Sequence, residues 1–127
     1  MIESRIIDIK RAAKENSFFR KVLVTGGRTQ VVLMSLLPGE EIGAESHDAD
    51  QLLYAVKGEG VAVRGGVREP FEKGTMFYVP AGTEHNVINT GDEPFKLFTI
   101  YAPPQHAGGT VHETKAEAEA AESHASA

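Results

Sequence analysis

The stretch GTMFYVPAGTEHNVIN, residues 74–89, decides how the rest of the chain is read. A glycine opens it, an apolar and aromatic run follows, and the run stops at Pro80-Ala-Gly82. Proline presets one turn dihedral and glycine supplies positive φ, so Pro-x-Gly marks a tight turn between two strands. HNVIN then resumes the β-type pattern. His85 falls near the start of the returning strand, aimed at whatever the strands enclose, and Asn89 follows four residues later.

The same rhythm extends on both sides. KVLVT, QVVLMSLL, QLLYAV, VAVR, TMFYVP, HNVIN and FKLFTIYA are short runs rich in β-branched and aromatic residues. Between them lie GG at 26–27, PGEE at 38–41, KGEG at 57–60, GG at 65–66, KG at 73–74, PAG at 80–82 and TGDE at 90–93. Many short strands at near-regular spacing predict an all-β sandwich or barrel. QVVLMSLL and FKLFTIYA are apolar on both pleat faces, as expected where one face lines an interior and the other meets a second layer.

The ends differ. IIDIKRAAKEN, residues 6–16, predicts a short helix with Ile6, Ile9 and Ala13 on one face and Lys10, Arg11 and Lys14 on the other. The last segment passes from Pro-Pro and Gly-Gly into an Ala- and Glu-rich stretch, read as partly helical at 114–122 and then disordered. The expected division is a helical arm at 1–18, a β-barrel at 19–104 and a tail at 105–127.

A chain of 127 residues builds one hydrophobic core. Its net charge is −5, of which the four glutamates and one lysine of residues 113–127 supply −3. This balance argues against a nucleic-acid or anionic-membrane partner, either of which favours a basic face. The absence of cysteine excludes disulfides and thiolate metal sites. With no signal-peptide pattern and no membrane-length apolar run, a cytoplasmic protein is expected.

Chemistry concentrates in AESHDADQ, residues 44–51. Glu45 and His47 are two residues apart, so on a strand both side chains face one way. Gln51 enters after a bend, and His85 arrives from the distant turn. Two imidazoles, a carboxylate and an amide oxygen form a donor set suited to Mn, Fe(II), Co, Ni or Zn. Each residue has a plainer reading. His47 could be a surface histidine, His85 a turn histidine bonded to backbone, and Gln51 an orienter of water or of Glu45. Asn89 is read as structural, and His106, His112 and His124 receive no role. Asp48 and Asp50 are read as a solvated bend, with hydrogen-bond partners of His47 as the alternative, and Tyr54, Phe77, Tyr78, Phe98 and Tyr101 as core or cavity wall.

These two segments resemble the paired motifs of the cupin family. Gly74, Pro80, Gly82, His85 and Asn89 match every fixed position of the second motif, G-x5-P-x-G-x2-H-x3-N. Gly39, Glu45, His47, Gln51 and Gly58 match the spacing of the first, with two departures. Glu45 stands where the family has its first histidine, and Gln51 where it has glutamate. The resemblance implies a small single-domain cupin of the conserved-barrel type: an all-β jelly roll of two antiparallel sheets with a short N-terminal helix. It implies one divalent transition metal held by Glu45, His47, Gln51 and His85, or a degenerate site that holds metal weakly or not at all.

Small cupins are commonly dimeric, so a homodimer is expected, through edge pairing by residues 20–24 or 30–37 that would bury the MSLL run. The function expected is a metal-dependent enzyme on a small organic substrate, with isomerase, lyase and dioxygenase chemistry all open and no catalytic base identified. The alternative is a non-catalytic barrel binding a sugar-like molecule, with or without metal.

Overall fold

The computed structural model describes residues 3–126, with side chains through Glu122. Helix α1 (Ile9–Glu15) leads into strands β1 (Arg20–Thr25), β2 (Gln30–Leu36), β3 (Asp50–Lys57), β4 (Glu59–Arg64) and β5 (Val67–Glu72). Strands β6 (Met76–Val79), β7 (His85–Asn89), β8 (Phe95–Ala102) and β9 (Val111–His112) follow, and helix α2 (Lys115–Ser126) ends the chain. The strands form a six-stranded sheet, β6-β3-β8-β2-β1-β9, and a three-stranded sheet, β5-β4-β7. All the pairings are antiparallel. This is the all-β sandwich that the turn rhythm predicts, in the two-sheet jelly-roll form that the resemblance implies.

Alternation along each strand sends one set of side chains between the sheets. Val32, Met34 and Leu36 of β2, Leu53 and Ala55 of β3, and Phe95, Leu97 and Tyr101 of β8 meet Ala62 of β4, Phe71 of β5 and Val87 of β7 there. The outer face of the large sheet carries the second apolar layer. Leu33 and Val56, with Leu23, Tyr54 and Phe98, pack against Ile9, Ala12 and Ala13 of α1. This explains the two-faced apolarity of QVVLMSLL.

Helix α1 begins later than its pattern suggests. The Asp8 side chain caps it by accepting from the Arg11 amide, so Ile6 lies outside the helix and is fully exposed. At the other end, β9 pairs with β1 through Arg20–His112 and Lys21–Val111. Ala118 of α2 is buried in the main core, so this segment contributes to the interior more than its composition suggests. The helix runs on through Ser126, where disorder beyond 122 was expected, and Ala127 lies outside the described residues.

Of the two edges expected to pair in a dimer, residues 30–37 are already flanked on both sides, whereas β1 beyond Lys21 has a strand partner on one side only. Strand β2 has β1 on one side and β8 on the other, and β1 is flanked by β2 and, at Arg20 and Lys21, by β9. Met34, Ser35 and Leu36 are buried within the chain itself. Pairing through residues 30–37 is therefore blocked, and the edges of the large sheet are β6 and β9. Among the described residues, no helix is long and apolar enough to cross a membrane.

Candidate metal centre

The Pro80–Gly82 turn is tied down on both flanks. Gly82 sits at φ 82°, a left-handed conformation that suits glycine, and its amide donates to the His47 carbonyl at 2.8 Å. The Ala81 amide donates to Asp50 Oδ1 at 3.0 Å, so Asp50 holds the turn rather than a histidine, while Asp48 is exposed. These bonds bring the two halves of the site together before any ligand is considered.

Residues 39–45 run antiparallel along the outer edge of β7 without forming a regular strand. Single bridges join Glu41 to Ile88 and Glu45 to His85. The Glu45 and His85 backbones exchange two hydrogen bonds, 3.0 and 2.9 Å long. The expected regular strand through Glu45 and His47 is thus absent, yet both side chains still converge on His85.

One ligand atom from each of Glu45, His47 and His85 lies within 4.8 Å of the others. Glu45 Oε1 stands 3.1 Å from His47 Nε2 and 3.9 Å from His85 Nε2. Ligands about 2.1 Å from a shared ion stand roughly 3–4 Å apart, so these spacings suit one small cation. The His85 side chain is 1% exposed, whereas His47 and Glu45 are 16% and 23% exposed. The cluster is buried on the His85 side and open beside Glu45.

His85 Nδ1 lies 2.9 Å from the Thr83 carbonyl and donates to it. The turn-histidine reading is therefore true of one ring nitrogen. That same bond fixes the tautomer and leaves the Nε2 lone pair pointing into the site. His85 Nε2 and His47 Nε2 are both buried without a hydrogen-bond partner, so the short Glu45–His47 approach is not an aligned hydrogen bond.

Gln51 is buried on β3, opposite Tyr101 of β8. Its Nε2 donates to Thr99 Oγ1 at 3.0 Å, which orients the amide, and its Oε1 is buried and unpartnered. Native interiors rarely leave such groups unsatisfied. The two imidazole nitrogens without partners, beside the Glu45 carboxylate, are what a borderline divalent ion would satisfy.

The surrounding wall is aromatic. Tyr101 presents its edge to His47 at 5.3 Å between centroids, and Phe77 meets His85 at 6.2 Å. Burial, and next the charge of Glu45, push the Tyr101 hydroxyl well above its ordinary pKa, so the phenol stays protonated. Tyr54 and Phe98 instead stack on each other beneath α1, and Tyr78 is exposed. Asn89 is structural: its amide nitrogen donates to the Leu36 and Glu93 carbonyls, and its oxygen accepts from Gly91, each at 2.9 Å.

His106, which carries no motif signal, also belongs to this interior. Its ring meets the far side of the aromatic wall, 5.4 Å from Tyr101, and its Nε2 is buried without a partner. Burial, then the charges of Arg20 and His47, lower its pKa to about 4, so it is neutral at physiological pH. The fold itself brings it there, because Gln30 of β2 grips the 105–106 backbone.

Residues 32–101, more than half of the chain, match the Cupin_2 cupin domain. The chain belongs to the cupin family. Over 124 residues this cupin is 50% identical to the uncharacterized protein YrkC of Bacillus subtilis (strain 168), covering 92% of this chain and 67% of that one. The crystal structure of BH2720 from Bacillus halodurans is similar with a TM-score of 0.91 at 45% identity, covering 93% of this cupin and 95% of that chain. A 72-residue stretch is 39% identical to glucose-6-phosphate isomerase of Thermococcus onnurineus (strain NA1), covering 52% of this cupin and 38% of that enzyme.

Proposed function

We propose that this cupin is a divalent-metal-dependent enzyme acting on a small organic molecule. Glu45, His47 and His85 would hold the ion, with Gln51 as a fourth donor through Oε1. The observation that carries the reading is the pair of buried, unpartnered imidazole nitrogens, His47 Nε2 and His85 Nε2, gathered beside the Glu45 carboxylate. A metal bound there would polarise a substrate carbonyl or hydroxyl, or bind O2 at open positions.

The chain's own residues do the rest. The Thr83 carbonyl and the Thr99 hydroxyl fix the orientations of His85 and Gln51, so the donor set is organised in advance. Tyr101 and Phe77 keep the inner side of the site apolar, which strengthens any charge interaction within it. The likeness to part of a glucose-6-phosphate isomerase favours isomerase-type chemistry over O2 chemistry.

One observation favours a second reading, a non-catalytic barrel that binds a small molecule. Glu45 is the one carboxylate in the cluster among the described residues, and as a ligand it is not available as a base. Stripping the protein with a chelator and reloading it singly with Mn, Fe(II), Co, Ni or Zn separates the two. We expect metal-dependent turnover of a hydroxy-carbonyl or sugar-phosphate substrate that disappears in Glu45→Ala. Stoichiometric metal with substrate bound and unchanged would establish the binding barrel instead.

A further inference from the structure

The outer face of the large sheet carries a hollow of about 280 Å³ where three elements meet. Helix α1 supplies Lys10 and Lys14 to its lining, β3 supplies Tyr54 and Val56, and the turn between β5 and β6 supplies Lys73. On a chain of net charge −5, three ammonium groups border one space, and no carboxylate among the described residues lines it. None of the three lysines has an ion pair among the described residues. The nearby acids are committed elsewhere. Asp8 accepts from the Arg11 amide, Glu15 is paired with Arg11 at 3.0 Å, and Glu72 lines a different hollow, which Lys73 also borders.

This concentration of charge works against the fold. Lys10 and Lys14 lie four residues apart on α1, where like charges repel. Just beyond Val56, Lys57 stands directly opposite Lys96 across the β3–β8 pair, which is also unfavourable. Burial, and then the Lys57 charge, lower the pKa of Lys96, whose ammonium donates to the Asn16 carbonyl at the end of α1. A helix face that was merely solvated would not be met by a third lysine from a turn on another element. That turn is firmly held. Gly74 sits at φ 86°, its amide donates to the Ala55 carbonyl at 2.8 Å, and the Thr75 amide donates to the Glu72 carbonyl at 3.1 Å. Tyr54 is fixed by stacking on Phe98 at 5.3 Å, and its hydroxyl has no hydrogen-bond partner among the described residues.

We propose that Lys10, Lys14, Lys73 and Tyr54 form a binding site for the phosphate group of a small phosphorylated molecule. A phosphate monoester at pH 7 brings about two negative charges and three strong acceptor oxygens, which suits three ammonium groups and one hydroxyl. A single carboxylate brings one charge and two oxygens. The overall negative charge of the chain opposes the approach of an extended polyanion or an anionic membrane, whereas a small anion needs only the short-range field of the three lysines. The hollow is also at the small end of the range for ligand pockets. None of Glu45, His47, Gln51 and His85 lines it, so the site stands apart from the metal reading.

Amide-resolved NMR titration of the full chain with inorganic phosphate, after chelation and removal of the chelator by dialysis, tests this. We expect saturable shifts at Lys10, Lys14, Lys73 and Gly74, and affinity weakened about fivefold in each of Lys10→Gln, Lys14→Gln and Lys73→Gln. Lys73→Arg should retain binding, and Arg28→Gln, on the exposed turn between β1 and β2, should leave it unchanged. All four positions are exposed, so the variants should keep the fold. No saturable response, shifts confined to residues 45–47 and 85, or a loss in Arg28→Gln equal to that in Lys73→Gln overturns the site. Tighter binding of malonate than of phosphate overturns the assignment to phosphate, and sedimentation with phosphatidylserine vesicles overturns the assignment to a small molecule.

Discussion

Glu45 and Gln51 exchange the usual order of donor types across the first motif, and the structure shows why the exchange is tolerable. Glu45 reaches the two imidazoles from a bridge to His85, while Gln51 sits deeper, under Thr99. A neutral amide avoids placing a second carboxylate in the buried position, where an unpaired charge is expensive. Gln51→Glu adds that charge. It should tighten divalent-metal binding by roughly tenfold or more, about 1.4 kcal/mol, and destabilise the chelated protein. Competition against a fluorescent chelator and urea melts of the two states measure both effects.

His106 supplies a second prediction at this scale. Its folded-state pKa of about 4 lies below the ordinary 6.5, so the unfolded chain takes up its proton first as pH falls. The stability it contributes is present above about pH 6.5 and is lost progressively towards pH 4. Partial exposure limits the loss to about 1–2 kcal/mol. Urea melts of chelated wild type and His106→Gln at pH 7 and 4.5 should show a smaller acid loss in the variant; equal losses would contradict the assignment. Glu45, His47 and His85 were legible from motif spacing. His106 was not, because nothing local marks a histidine after Pro-Pro as lying in the interior.

Among elements, the strands with uninterrupted apolar runs were all legible, and the two that were missed lack such runs. Strand β5 reads VREPFE, with only Phe71 buried, and survives as an edge strand where Pro70 costs little. Strand β9 is two residues long and is defined by its partner β1. The KGEG segment was read as a break, yet only Gly58 separates β3 from β4. Gly60 of β4 is packed so closely against β7 and the Phe95 ring of β8 that an added Cβ would meet the Ile88 carbonyl at 2.3 Å and Phe95 Cε2 at 2.9 Å. Gly60→Ala should cost about 1–3 kcal/mol by thermal melt, through forced separation of β4 and β7. Asn89→Ala strands three backbone groups at the opposite end of β7 from His85 and should cost about 3 kcal/mol while leaving metal stoichiometry unchanged.

The whole molecule is a sandwich whose interior has a hydrocarbon middle and one polar end. His85 begins β7 at the polar end, and Asn89 closes the strand at the other. A surface hollow lined by Glu59, Glu72, Lys73, Gly91 and Asp92 lies at the Asn89 end of the molecule and includes none of Glu45, His47 and His85. An ion held by Glu45, His47 and His85 would join the 39–47 segment to β7, so occupancy should stabilise the entire fold. At a hundredfold excess over its dissociation constant a bound ion adds about 2.7 kcal/mol, on the order of 10 °C in Tm for a domain of this size. A chelator should reverse that rise in wild type and change nothing in His85→Ala.

The central claim is that Glu45, His47 and His85 hold a metal ion, and plasma mass spectrometry of the purified protein tests it most directly. Our account predicts close to one equivalent of Mn, Fe, Co, Ni or Zn per chain, absent from Glu45→Ala and His85→Ala. Wild-type protein that remains metal-free after reconstitution with each of these ions would contradict it.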